Sequence, residues 1–180
     1  MDKMEYDRKV ADILNSASYR QFKKDPTQSI ERRLQQKLLS LQRSGNITKP
    51  LYRQLRPSNS KCPSFFGRPK IHKEDAPLRP IAACRGGPTY DTAKHLAKIL
   101  CPLAGNTEHH VKNSDQFAAL IQDLTLQPDD IMVNFDVVSL FTNVPTSDAT
   151  TIAKDRLVAD PSLKDRTDLI PDQLHDLLLT

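Results

Sequence analysis

Apolar residues recur at helical spacing most clearly between residues 25 and 44. Ile30, Leu34, Leu38 and Leu41 stand four, four and three apart and form one stripe. Asp25 suits the N-cap of this helix, Pro26 its first turn, and Gly45 follows its end. Arg32, Arg33, Lys37 and Arg43 lie largely off the stripe. They form either a solvated face, the favoured reading, or a contact to nucleic acid. A weaker helical pattern covers residues 4–22.

The pattern then changes. Prolines at 50, 57, 63, 69, 77, 80 and 88 exclude a long helix over residues 46–90. Extended segments and turns are predicted there, with short strands around residues 64–66 and Leu78–Ala83. Arg85-Gly86-Gly87-Pro88 reads as a turn into a helix over residues 89–100, with Ala93, Leu96, Ala97 and Leu100 facing inward and Pro102 ending it. Ser114 suits the cap of another helix that buries Phe117, Leu120, Ile121 and Leu124. Residues 131–138 are apolar on both sides of the alternation, which predicts a central strand covered on both faces. Asp136 stands near the end of that strand. Helices are predicted over residues 146–158 and from Pro171 onward. No repeat and no low-complexity tract interrupts the 180 residues.

Charge divides the chain more sharply than its net of +4 suggests. Residues 1–60 carry +7, residues 61–112 carry +5, and residues 113–180 carry −8. Such asymmetry points either to a polyanion partner on the basic side or to two faces that attract each other. Three cysteines without metal-ligand spacing fit a reduced, intracellular protein. His109 and His110 have no partner cysteine pair, so no zinc site is predicted. The N-terminus has no apolar region of the signal-peptide kind, and no apolar run reaches the roughly 20 residues that span a bilayer.

The chemistry-bearing stretches follow one another in order. Phe65-Phe66-Gly67-Arg68-Pro69-Lys70-Ile71-His72-Lys73 is followed by Pro77-Leu78-Arg79-Pro80-Ile81. Then come Gly87-Pro88-Thr89-Tyr90, Ala93 to Leu100, and His110-Val111-Lys112-Asn113-Ser114. Phe135-Asp136-Val137-Val138-Ser139-Leu140-Phe141-Thr142-Asn143-Val144-Pro145 closes the series. Together these resemble the fingers motifs and the first palm motif of Penelope-like retroelement reverse transcriptases. The resemblance covers residues 45–145 and, more loosely, both flanks.

The resemblance implies an α+β fold. A mostly helical extension, residues 1–44, would precede a partial reverse transcriptase domain, residues 45–180, holding the fingers and the start of the palm. The activity implied is RNA-directed DNA polymerisation, with an RNA template, a DNA primer and deoxynucleoside triphosphates as partners. A nuclear location and no membrane association go with it.

Residue by residue, the resemblance gives Asp136 the role of catalytic aspartate. With the Val137 carbonyl it would be a ligand to Mg²⁺ or Mn²⁺. Hard cations take such oxygens, and a strand end fixes a carboxylate well. A lone acid at a strand end otherwise caps a turn. Phe141 matches the aromatic beneath the incoming sugar, which favours deoxynucleotides, or it packs in a core. Ser139 and Leu140 would present backbone N–H groups to the triphosphate.

Lys70 and Arg79 are the candidate triphosphate ligands. Arg79 is the stronger of the two, since a guanidinium binds phosphate through two bonds. Arg68, His72 and Lys73 are candidates for template contact, or stay in solvent as part of a basic turn. The family usually carries an apolar residue where Arg68 stands.

No aromatic-x-Asp-Asp motif occurs in the 180 residues. Asp129-Asp130 precedes the Asp136 segment and reads as a turn. The template grip, the rest of the palm and the thumb are not found. A fragment of this kind is expected to be inactive alone and to hold its metal poorly. The competing expectations are a non-catalytic remnant of the fingers that binds nucleic acid, and an unstable truncated product.

Overall fold

The computed structural model describes residues 1–125, 127–138 and 140–180, with Phe141 as backbone alone. It is an α+β arrangement dominated by helices. In chain order these are α1 (Lys3–Leu14), α2 (Thr27–Arg43), α3 (Lys49–Leu55), α4 (Tyr90–Leu100), α5 (Ser114–Ile121), α6 (Leu140–Asn143), α7 (Thr146–Val158) and α8 (Pro171–Leu178). Between α3 and α4, β1 (Ser64–Pro69) and β2 (Leu78–Ala83) pair as an antiparallel hairpin.

The α2 stripe behaves as its spacing predicts. Leu34 and Leu38 are fully buried, and Ile30 and Leu41 are half-buried. Asp25 stands one residue outside the expected cap. Its carboxylate accepts from the Thr27 N–H at 2.9 Å and from the Thr27 hydroxyl at 2.6 Å. Those bonds, the hydroxyl first, hold its carboxyl below the usual carboxylate range. At the other end Gly45 adopts φ 79°. The Gly45 N–H donates to the Gln42 carbonyl and the Asn46 N–H to the Leu41 carbonyl. This double closure needs a left-handed residue, which glycine supplies without steric cost.

Leu34 and Leu38 join Ile47 and Leu55, Leu96 and Ile99 of α4, Leu157 of α7, and Leu163, Leu169, Leu174 and Leu177 in one apolar cluster. The 44/45 boundary therefore falls between elements that share a core. Charge follows the same packing. The Lys37 ammonium pairs with Asp176 of α8 at 2.7 Å, and the Arg33 guanidinium donates to the Thr180 carbonyl. Part of the basic half thus meets the acidic half within the chain.

Helix α3 was not expected among so many prolines. Its signal was present, however. The Thr48 hydroxyl accepts from the Leu51 N–H, and Pro50 sits in the first turn, where its missing N–H has no consequence. Ile47, Leu51 and Leu55 stand four apart and all reach the core.

Before α8 the chain is held by Asp160. Its carboxylate accepts from the Ser162 N–H at 2.9 Å, the Ser162 hydroxyl at 2.8 Å and the Arg166 guanidinium. These contacts, Ser162 foremost, lower its pKa, and they fix the short turn that delivers buried Leu163. A carboxyl with a folded pKa below its unfolded one, about 3.9, stabilises the fold fully above that value. The contribution fades as pH falls through the folded value. Asp160→Asn is expected to lower the urea midpoint at pH 7 and to shrink the midpoint difference between pH 7 and pH 3. An unchanged midpoint at pH 7 would show that the turn does not depend on this carboxylate.

Four expectations are corrected. Residues 131–138 form no strand, and Ile131, Met132 and Phe135 are at least 83% exposed. A two-faced apolar strand needs hydrogen-bonding neighbours and two covering layers. Among the described residues β1 and β2 pair only with each other. Helix α5 forms, but Asn113 rather than Ser114 caps it, accepting from the Gln116 N–H. Its residues Phe117, Leu120 and Ile121, with Leu124 beyond its end, are exposed, since the core cluster is closed by other helices. In α4 the inward residues are Thr92, Leu96 and Ile99, whereas Ala93 and Ala97 are exposed. The early helix ends at Leu14 rather than near residue 22.

Candidate nucleic-acid interface

The β1–β2 hairpin is built around its prolines. The Lys70 N–H donates to the Pro77 carbonyl at 2.9 Å, which makes Lys70 and Pro77 a hydrogen-bonding pair. By the alternation of antiparallel ladders, Arg68 with Arg79 and Phe66 with Ile81 are hydrogen-bonding pairs too. Gly67, Pro69 and Pro80 fall between them, where an N–H would point away from the partner strand. The two prolines therefore cost the ladder nothing. The Gly67 N–H is taken by the Tyr6 hydroxyl of α1 at 2.9 Å.

This parity sorts the side chains. One face turns toward α1 and the segment after it. Gly67 and Leu78 are buried there, and Phe65 meets the Tyr19 ring edge-on at 5.9 Å. A side chain at residue 67 would reach within 2.6 Å of the Leu78 side chain, so glycine permits this close approach. The Lys9 ammonium of α1 closes the far end by donating to the Asp75 carbonyl. The opposite face carries Phe66, Arg68, Lys70, Ile81 and Arg79.

On that outer face Arg68, Pro69, Lys70, Ile71, His72 and Arg79 line a concavity of about 470 Å³. Arg68, His72 and Arg79 are exposed and Lys70 is half-buried. No carboxylate forms an ion pair with any of these four among the described residues. The cations that the sequence singled out are thus brought together, apart from Lys73. Lys73 lies in the connecting turn, where its N–H donates to the Lys70 carbonyl at 3.0 Å, and it does not line the concavity.

The remaining expected site residues are not built into this surface. Asp136 and Val137 lie exposed in the irregular 131–138 segment. Leu140 opens the short helix α6, and the Asn143 amide donates to the Val138 carbonyl at 2.7 Å. Ser139 and the Phe141 side chain lie outside the described residues. Asp129-Asp130 is the turn its position predicts. The Asp130 carboxylate accepts from the Gln127 N–H, and the Asp130 N–H donates to the Gln127 carbonyl.

Among the described residues no three His, Cys, Asp or Glu side chains are grouped to hold a metal ion. Asp136 and the Val137 carbonyl offer a hard cation two ligand groups and a single negative charge. That set does not fit a pair of divalent ions, whose mutual repulsion needs further carboxylates to offset it. No described helix is long and apolar enough to cross a membrane.

Sequence reasoning singled out Lys70 and Arg79 but missed that Arg68 is the direct cross-strand partner of Arg79. The placement of Pro69 and Pro80 constrains the ladder parity, but not the register that pairs Arg68 with Arg79. No protein-family model matches the chain, and neither a curated protein nor a solved structure is found to match it.

Proposed function

We propose that this chain is a fingers-bearing part of a Penelope-like reverse transcriptase, and that its hairpin holds the phosphates of nucleic acid or nucleotide. The observation that carries the phosphate-binding reading is the outer face of the hairpin. Arg68, Lys70 and Arg79 share it, His72 completes its concavity, and among the described residues no carboxylate forms an ion pair with them. The ordered motifs over residues 45–145 tie that face to the polymerase family.

A second reading is a binding module without chemistry. It is favoured by the position of Asp136, which lies exposed and outside any strand. Both readings need the same surface, so binding tests that surface first. Single-stranded RNA is expected to bind with an affinity that falls as salt rises. Lys70→Ala combined with Arg79→Ala is expected to weaken binding at least tenfold. Each lost phosphate contact reduces the log–log salt slope by about 0.7 on a single strand, so the pair removes about 1.4. Fluorescence anisotropy between 50 and 300 mM NaCl measures both, with circular dichroism to establish folding of the variant. Salt-independent binding, or a folded double variant with unchanged slope, would reject the assignment of this face.

A further inference from the structure

The hairpin places two like charges directly opposite each other. Arg68 and Arg79 are register partners, so their side chains leave the ladder on the same face. Opposed positions on one face lie about 4.5–5.5 Å apart at Cβ, and like charges there disfavour the pairing. Both residues are exposed, and neither has an ion-pair partner among the described residues. Glu74 and Asp75 stand in the turn between the strands, and neither carboxylate forms an ion pair with either arginine. The pairing therefore opposes folding and has no counter-ion among the described residues.

We infer that Arg68 and Arg79 act as a two-guanidinium clamp on one phosphate group, with Lys70 flanking it on the same face. Two planar forks that approach from adjacent strands offer an anion several N–H donors while their charges are neutralised together. A phosphate thus relieves the repulsion that the register builds in. The resemblance gives no such role to residue 68, where the family usually carries an apolar side chain. The ligand is a phosphate oxyanion, carried either on a free polyphosphate chain or on a nucleic-acid strand. This inference rests on the reading of the hairpin's outer face as a phosphate-binding surface.

The test uses the full chain, with inorganic tripolyphosphate in one arm and a single-stranded RNA oligonucleotide in the other. Arg68→Leu is expected to leave the ligand-free melting temperature unchanged or raised, because a repulsion is removed. The same variant is expected to bind the preferred ligand about tenfold more weakly, the loss of one charge-assisted contact. Arg68→Lys, with charge but no fork, recovers only part of that loss. In an Arg79→Leu background the Arg68→Leu change costs less than it does alone, since the clamp is already open. The arm that shows this coupling identifies the phosphate source.

A lowered ligand-free melting temperature with unchanged affinity would make Arg68 structural and overturn the clamp. So would strictly additive losses. If Arg68→Leu binds normally while Lys70→Ala with Arg79→Ala does not, the clamp fails and the surface reading stands. If the unaltered chain binds neither ligand, both fail.

Discussion

Replacing Leu38 with alanine is expected to destabilise the chain by about 3 kcal/mol, a shift of more than a hundredfold in the folding equilibrium. Leu38 is fully buried at the centre of the α2 stripe and touches the one cluster shared by α2, α3, α4, α7 and α8. Losing its side chain removes the transfer free energy and leaves a void that leucines from four other helices cannot all relax to fill. Urea unfolding followed by circular dichroism measures the effect. The hairpin offers the contrast. Its outer residues are exposed or half-buried and lie outside the core cluster, so Ile81→Ala belongs among the milder changes. A Leu38→Ala loss below about 1 kcal/mol would mean that α2 does not pack where the cluster places it.

The success with α2 and the failure with residues 131–138 have one physical origin. A helix satisfies its own backbone hydrogen bonds, so a stripe at Ile30, Leu34, Leu38 and Leu41 already specifies an element, and the stripe needs only a surface to bury it. A strand satisfies nothing alone. Residues 131–138 have the composition of a central strand, but among the described residues the sheet holds β1 and β2 alone, and 131–138 pair with neither. The pattern records a preference that only pairing to a strand edge would realise.

Helix α5 is an intermediate case, correctly placed yet unburied, because amphipathicity does not name the partner surface. In α4 the inward arc keeps Leu96 and the half-buried Leu100 but turns from Ala93 and Ala97 toward Thr92 and Ile99. Small alanines leave a helix free to rotate toward its larger side chains.

The candidate interface was more legible than the fold around it. Lys70 and Arg79 came from a motif, and the structure puts them on one face. The pairing of Arg68 with Arg79 could not be read from the motif, since a cross-strand register depends on the length of the turn between the strands. Residues 71–76 set that length, and Asp75 and Ala76 turn the chain with φ values of 57° and 38°. Changing the turn by one residue would move Arg68 to the α1-facing side, because side chains alternate with period two.

On an RNA template with a DNA primer, the 180-residue chain is expected to add no nucleotides in Mg²⁺ or Mn²⁺, and Asp136→Ala is expected to change nothing. In-line transfer at phosphorus requires two cations fixed a few ångströms apart, which hold the attacking and leaving oxygens. A carboxylate serves that purpose when a rigid element aims it. Asp136 is exposed in a segment outside any strand, so no regular element aims its carboxylate, and a lone carboxylate holds a hydrated ion weakly. On the proposed reading the hairpin cations hold a phosphate chain, yet charge neutralisation without an aimed metal and nucleophile lowers no barrier to transfer. Phosphate binding and polymerisation should therefore separate in this chain, with binding kept and extension absent. Primer extension above background that Asp136→Ala abolishes would show that residues 131–138 become ordered on the primer–template and that the metal centre is assembled there. Binding without extension, sensitive to Lys70 and Arg79 and indifferent to Asp136, is the outcome the geometry favours.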